Sequence, residues 1–306
     1  MEDSATRGIC LTSDSTKQPI VIDTEEKTVV YPSAKCGGGE KGEQFVGKKL
    51  AVICTGRSNR LLDAQSNAVS VGNVPYDDLK TGVNELQCER VNEAITIRDK
   101  ENDDPIRNCT AFRSGFELPR GVPFHTVFTV CWDPKDMHPV WVRNKINPAV
   151  AEEDDDDLID AGIRTRFRFS RLVFGDDYNP RKYFTVQHQR DEGMLVDAHG
   201  DFMARGHLAP VGDFFLACER WATFSLENVV PQWQTHNNGA WKDIENKARH
   251  LNGAFLVETG PTYVAPSNHL DRVNHLLPVP YSLYKKVWDK HGNLLYSVVD
   301  KVVPAR

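Results

Sequence analysis

The stretch Asp201-Phe202-Met203-Ala204-Arg205-Gly206-His207-Leu208-Ala209-Pro210, followed by Asn228-Val229-Val230-Pro231-Gln232 and Asn237-Asn238-Gly239-Ala240-Trp241, decides how the chain is read. From residue 239 to residue 251 the sequence has a helical period, with Ala240, Trp241, Ile244, Ala248 and Leu251 on the apolar side, and this predicts a helix. Asn237 stands at the position of an N-cap. At 3.6 residues per turn, positions 237, 241, 245 and 249 drift slowly along one stripe, so Asn237, Glu245 and Arg249 can face one neighbouring site. Taken alone, Asn237 is a cap and Glu245 with Arg249 an i,i+4 surface pair contributing about 0.3–0.5 kcal/mol.

The residues upstream change that balance. Arg205-Gly206-His207 is flanked by apolar residues, and the strand-like segment 224–231 brings His207 back beside the helix. A hairpin followed by a helix gathers a neutral imidazole, an amide oxygen, a carboxylate and two guanidinium groups. Phosphodiester hydrolysis needs such a set. A base must take a proton from water near neutral pH, a hard cation must neutralise phosphate oxygens and leaving group, and arginines match the phosphate fork bidentately.

Ala204-Arg205-Gly206-His207-Leu208-Ala209-Pro210 with Asn228-Val229-Val230-Pro231-Gln232 and Asn237-Asn238-Gly239-Ala240-Trp241 resembles the DNA/RNA non-specific endonuclease family, the ββα-metal nucleases typified by Serratia nuclease and mitochondrial endonuclease G. The motif match spans about residues 203–251 and continues more weakly through Thr259-Gly260-Pro261-Thr262-Tyr263 and Leu277-Pro278-Val279-Pro280. With its cysteine-bearing N-terminal extension, the chain looks most like the secreted arthropod members, insect double-strand ribonucleases and shrimp DNases.

The resemblance implies an α+β fold: a ββα-metal nuclease core around a mixed or antiparallel sheet. It implies His207 as general base, Asn237 as the single direct protein ligand of a Mg²⁺ that keeps most of its waters, and Glu245 as the group that orients metal-bound water. Mn²⁺ or Ca²⁺ are the substitutes for Mg²⁺. Arg249 and Arg205 would hold the scissile phosphate. The bacterial pattern has Asp where this chain has Ala204, and Gln where it has Asn238. A further arginine reaches phosphate in the bacterial enzymes from an upstream segment, for which Arg164, Arg166, Arg168 and Arg171 are the candidates. Arg164, Arg166 and Arg168, with Asn238, are taken as substrate-binding. The expected activity is Mg²⁺-dependent hydrolysis of DNA or RNA, duplex more than single strand, with little sequence specificity. The alternative is a catalytically weak nucleic-acid binder on the same fold, motivated by Ala204 and the acidic charge. An intracellular enzyme of the endonuclease G type is a third reading, which free thiols would favour.

Outward from this centre, the sequence divides in two. Residues 1–130 hold short β-branched runs at 19–22, 28–31, 50–54, 94–97 and 122–132, separated by turn-rich stretches, and predict a β-rich region. Residues 131–306 would form the endonuclease domain. Gly37-Gly38-Gly39 lacks a following Lys-Ser/Thr and reads as a loop. Arg164, Arg166 and Arg168 alternate with Thr165, Phe167 and Phe169, so an extended strand would separate cations from aromatics. Strand-like segments recur at 254–258, 276–284 and 294–303, and the chain ends in such sequence at Pro304-Ala305-Arg306, which reads as truncated or processed.

The 306 residues are 40% hydrophobic and 26% charged, enough to bury a sizeable core, and no apolar run approaches the roughly 18 residues of a membrane span. With 37 basic against 43 acidic residues, the net charge of −6 argues against binding nucleic acid through a general positive field. The acidic run at 152–157 supplies much of the excess and reads as a solvated loop, since it lacks the ligand spacing of a calcium loop. Seven cysteines without a C-x-x-C suit dispersed disulfides and an oxidising compartment, with one thiol left over. Asn108-Cys109-Thr110 fits a glycosylation acceptor. A secreted protein is therefore expected, and with Met1-Glu2-Asp3-Ser4 at its start it would be a mature form without its signal peptide.

Overall fold

The structure is a computed structural model that describes residues 7–11, 17–35, 43–71, 82–83, 86–119, 121–147, 150, 166–193, 200–265 and 268–303. The glycine turn at 37–39, the acidic run at 152–157, Arg164 and the last three residues lie outside the described residues.

The N-terminal region is built of short strands, as its punctuated sequence predicts. They are β1 (Arg7–Leu11), β2 (Ile20–Asp23), β3 (Thr28–Val29), β4 (Pro32–Lys35), β5 (Glu43–Gly47), β6 (Leu50–Ile53), β7 (Arg60–Leu62), β8 (Ala68–Val71), β9 (Gly82–Val83) and β10 (Gln87–Cys88). They form three small sheets in the orders β4-β5-β1-β9, β3-β2-β6 and β10-β7-β8. Strands β2 and β6 are buried on both faces. Because side chains alternate across a strand, Ile20, Ile22, Ala51 and Ile53 join the main core while Val21, Leu50 and Val52 join a smaller one with Ile9, Leu11 and Phe45. The N-terminal region is thereby part of the main core. Tyr31 adds a polar link, its Oη donating to Glu219 Oε1 at 2.6 Å.

The centre is a seven-stranded sheet of β11 (Ile95–Arg98), β12 (Thr110–Phe116), β13 (His125–Asp133), β14 (His138–Lys145), β17 (Leu256–Thr262), β20 (Ser282–Trp288) and β21 (Leu294–Lys301), in that order and antiparallel at every pairing. The fold class is α+β. Residue 130 falls inside β13, so strands on both sides of it share one sheet. The expected strand at 276–284 is split into β19 (Leu276–Pro278), which pairs with β18 (His269–Asp271), and β20. Pro278 and Pro280 have no N–H to continue a ladder.

Between β14 and β17 the chain leaves the sheet. It forms α1 (Arg171–Phe174), α2 (Val186–Asp191), β15 (Met203–His207), α3 (Ala217–Thr223), β16 (Val229–Trp233), α4 (Gln234–Asn238) and α5 (Ala240–Arg249). Trp241 and Leu208 from this excursion pack with Phe116, Phe128 and Trp132 of the sheet in the main core.

Disulfides join Cys54 to Cys88 and Cys109 to Cys131, and Cys10 is disulfide-bonded as well. Cys218 is the free thiol among the described residues, and it is buried. Among the described residues, no helix is long and apolar enough to cross a membrane.

Candidate active site

The hairpin and helix inferred from the sequence form as a two-stranded antiparallel pair, β15 with β16, running in register from Met203 opposite Trp233 to His207 opposite Val229. Asn228 closes the hairpin. Buried completely, it receives the Ala209 N–H on Oδ1 at 2.9 Å and donates to the carbonyls of Ala209 and Thr223 at 2.8 and 3.1 Å. The helix differs from expectation. Asn237 lies within α4, which is tied to the start of β15 by the Gln234 N–H donating to the Phe202 carbonyl at 2.9 Å, and it caps nothing. The chain breaks at Gly239 (φ −109°, ψ −111°), where a Cβ would lie 2.9 Å from the Thr235 carbonyl oxygen, and α5 begins after it. A glycine at this point removes that steric conflict and lets the two helices follow each other directly.

His207 and Arg205 share an aromatic shelf. The His207 ring lies 5.3 Å from those of Phe167 and Phe224, centroid to centroid, and the Arg205 guanidinium sits 5.1 Å over Phe167 and 5.7 Å over Phe184. Although the ring as a whole is half-buried, His207 Nε2 is enclosed and has no hydrogen-bond partner. Burial disfavours the charged imidazolium and pulls the pKa down to about 4. The ring is therefore neutral at neutral pH, the form that can accept a proton.

Glu245 and Arg249 belong to a second group of charges. Arg249 Nε lies 3.5 Å from Asp213 Oδ1, and Asp213 Oδ2 accepts from Asn144 at 2.9 Å. Gly212 makes room for the guanidinium: a Cβ there would stand 2.1 Å from Arg249 Nη2. Lys285, only 1% exposed, donates from Nζ to Thr259 Oγ1 at 2.8 Å and lies 5.6 Å over the Trp241 ring. Burial and the nearby Asp213 charge raise the Glu245 pKa to about 7, while Lys285 and Arg249 oppose the rise. Burial lowers the Lys285 pKa, with Asp213 and Glu245 opposing. Two acids and two bases thus compensate one another, with Asp213, Arg249 and Lys285 buried and Glu245 half-buried.

Asn237 is half-buried and Asn238 exposed. The Asn237 amide donates to Asn238 Oδ1 at 3.3 Å, and among the described residues its own side-chain oxygen has no hydrogen-bond donor. An amide oxygen suits a hard, well-hydrated divalent cation better than a soft one. Among the described residues, one further group could hold a metal: Asp133, Asp136 and His138 at the β13–β14 turn.

The three described arginines of the upstream cluster have different surroundings: Arg171, exposed at the start of α1, lies 3.8 Å from Asp176 Oδ1. Arg166 is exposed. Arg168 turns inward, donating to the carbonyls of Ala94 and Ala222 and to Ser114 Oγ, so its guanidinium is occupied by the fold. Reading the sequence did not single out Asp213, Lys285, Phe167 or Phe224 as site residues. Lys285 left a signal: it occupies the inward position between Leu283 and Val287 on an alternating strand, and all three are buried. Asp213 left none, because its partner Arg249 is distant in sequence.

With this geometry in place, residues 108–300 match the DNA/RNA non-specific endonuclease family. The chain is 25% identical over 210 residues to the salivary endonuclease of Lutzomyia longipalpis, a span covering 67% of this chain and 47% of that protein. It is 23% identical over 274 residues to the salivary protein Tsal1 of Glossina morsitans morsitans, covering 80% and 65%. Over 146 residues it is 26% identical to the mitochondrial endonuclease G of Bos taurus, covering 45% and 41%. The matched spans are thus between about two fifths and two thirds of these relatives' lengths.

Proposed function

The chain belongs to the DNA/RNA non-specific endonuclease family, and on that premise we propose that it is a secreted, divalent-cation-dependent endonuclease that hydrolyses phosphodiester bonds of DNA, RNA or both. Mg²⁺ is the proposed cation and duplex the proposed substrate. The observation that carries this reading is the state of His207: neutral, half-exposed and without a hydrogen-bond partner among the described residues, next to a guanidinium on the same strand.

His207 accepts the proton of the attacking water on Nδ1, the ring nitrogen that is not enclosed. Its low pKa in the free protein reflects burial alone, and an incoming phosphate, carrying negative charge, makes the imidazole a stronger base as the reaction needs it. Arg205, steadied by two aromatic faces, and Arg249, fixed by Asp213 and Gly212, hold the phosphate oxygens and the charge that develops on them. Asn237 would hold the cation through its amide oxygen, and Glu245 would orient water beside it. When bound, the cation neutralises phosphate and leaving-group charge. Asn238 and Arg166, both exposed, are proposed to touch the substrate backbone.

Secretion is supported by the disulfides and by the salivary relatives. Asn108, exposed just before β12, is placed for glycosylation. The test is cleavage of duplex DNA, single-stranded DNA and duplex RNA with Mg²⁺ or EDTA, beside His207→Ala. Metal-dependent cleavage that disappears in the folded variant supports the reading. Salt-dependent binding without any product would replace it with the non-catalytic binder.

A further inference from the structure

We propose that the N-terminal region supplies a second contact for the nucleic-acid backbone, made by Arg57 and Arg90 in a cleft that shares a wall with His207. The proposal rests on the nuclease reading and extends it to residues outside the matched family region.

The cleft holds about 280 Å³ and lies between the loops after β6 and β10 and the α3 end of the core. Arg57, Arg90 and Arg166 line it, with Trp221 and Phe224 as its aromatic side. Phe224 is the shared wall, because its ring also packs on His207 at 5.3 Å. A strand lying in this cleft is therefore one ring away from the proposed base.

Three features make the cleft a built surface. Cys54 and Cys88 precede the two arginine-bearing loops and are joined by a disulfide. Buried Asn59 and Asn92 then lock the loops together: Asn92 Oδ1 accepts from the Thr55 N–H at 2.6 Å, and Asn59 bonds the backbone of Thr55 and Arg90 at 2.9–3.1 Å. Arg90 also donates to the Arg57 carbonyl. Finally, Arg168 links the two sides by donating to Ala94 at the end of the loop and to Ala222 of α3.

The chemistry of the lining selects the ligand. Arg57, Arg90 and Arg166 are exposed, and among the described residues none of them forms an ion pair, although the chain as a whole is acidic. Glu93 also lines the cleft, its carboxylate beside Gly56, and its charge acts on Arg168, so the three exposed guanidinium groups face one carboxylate. Converging guanidinium groups beside two aromatic rings fit phosphates alternating with bases. The volume is at the lower edge of small-ligand pockets, which suits a segment of a polymer passing through.

The experiment measures binding of a labelled short duplex to the full chain in EDTA, across a salt series, for wild type, Arg57→Gln/Arg90→Gln and a charge-matched control, Lys100→Gln/Lys290→Gln. The expected result is an affinity lower by about tenfold in the arginine variant, with the log–log salt slope reduced by about one per arginine, and little change in the control. Arg57→Gln alone removes a side chain with no hydrogen bond among the described residues and should give about half of that slope change. An unchanged slope in the arginine variants, or an equal loss in the lysine control, overturns the proposal. Failure of wild type to bind overturns this contact, and the nuclease reading is then decided separately by cleavage when Mg²⁺ is added. Binding by wild type that never leads to cleavage when Mg²⁺ is added overturns the nuclease reading alone, and the slopes still decide the contact.

Discussion

The aromatic shelf under His207 and the charged group around Lys285 reach the same end by opposite means. On the shelf, a single titratable ring is surrounded by apolar faces, and desolvation alone fixes its protonation state. In the charged group, four ionisable side chains share a small volume: burial and neighbouring charges act together on Glu245 and Lys285, and Arg249 pairs with Asp213. A proton acceptor benefits from isolation, because any permanent partner would have to be displaced first. A phosphate clamp benefits from compensation, because a lone buried guanidinium is costly until substrate arrives.

The comparison can be broken at its most sensitive point first. His207→Ala should lower turnover by roughly 10²–10⁴-fold while leaving the unfolding midpoint nearly in place, measured by steady-state cleavage beside a thermal melt. Lys285→Met attacks the other side: it leaves two acids against one base and should destabilise the fold by about 3–5 kcal/mol in denaturant titration. If both variants lost activity without losing stability, the contrast between an isolated and a compensated site would fail. Gly212→Ala is gentler, since its new methyl group must displace the Arg249 guanidinium. A cost of about 1–3 kcal/mol, with weakened cleavage, is expected.

The pH response sharpens the same contrast in metal-free protein. The unfolded imidazole titrates near 6.5 and the folded one near 4, so the unfolded chain binds the extra proton in between. The stability contributed by neutral His207 is present above pH 6.5 and declines as the pH falls towards 4. Glu245 runs the other way: with an unfolded value of 4.5 and a folded value of about 7, its contribution is present below pH 4.5 and is lost as the pH rises to 7. Denaturation series in EDTA should therefore show His207→Ala flattening the acid side and Glu245→Gln flattening the approach to neutrality. The smallest effect belongs to Arg166→Gln, an exposed residue for which a change of about threefold in KM is expected, in line with roughly 1 kcal/mol or less for one exposed charge.

The hairpin and helix were legible because their information is local: residue types, an apolar period of 3.6 and short spacings. The N-terminal strands were legible for the same reason. The break at Gly239 was not, since a helical period continues through it and only the backbone shows that α4 and α5 are separate. Arg168 shows the limit most clearly. Its alternation with Phe167 and Phe169 placed it with Arg166, but the carbonyls that capture it come from Ala94 and Ala222, 74 and 54 residues away. Asp213 and Lys285 were hidden by the same distance, although a lysine on the inward side of a strand could have been noticed.

Cys218 sits in α3, 4% exposed, with burial and the neighbouring Glu219 charge pushing its thiol well above the ordinary range. Disulfide exchange requires a thiolate with access to another sulfur. Once α3 packs, the odd sulfur of the chain is withdrawn from exchange, so the native pairings are protected kinetically by the core that forms around them. Heat or urea that loosens α3 returns this thiol to the reaction, and scrambling should then begin at the same denaturant concentration at which a thiol reagent first labels Cys218.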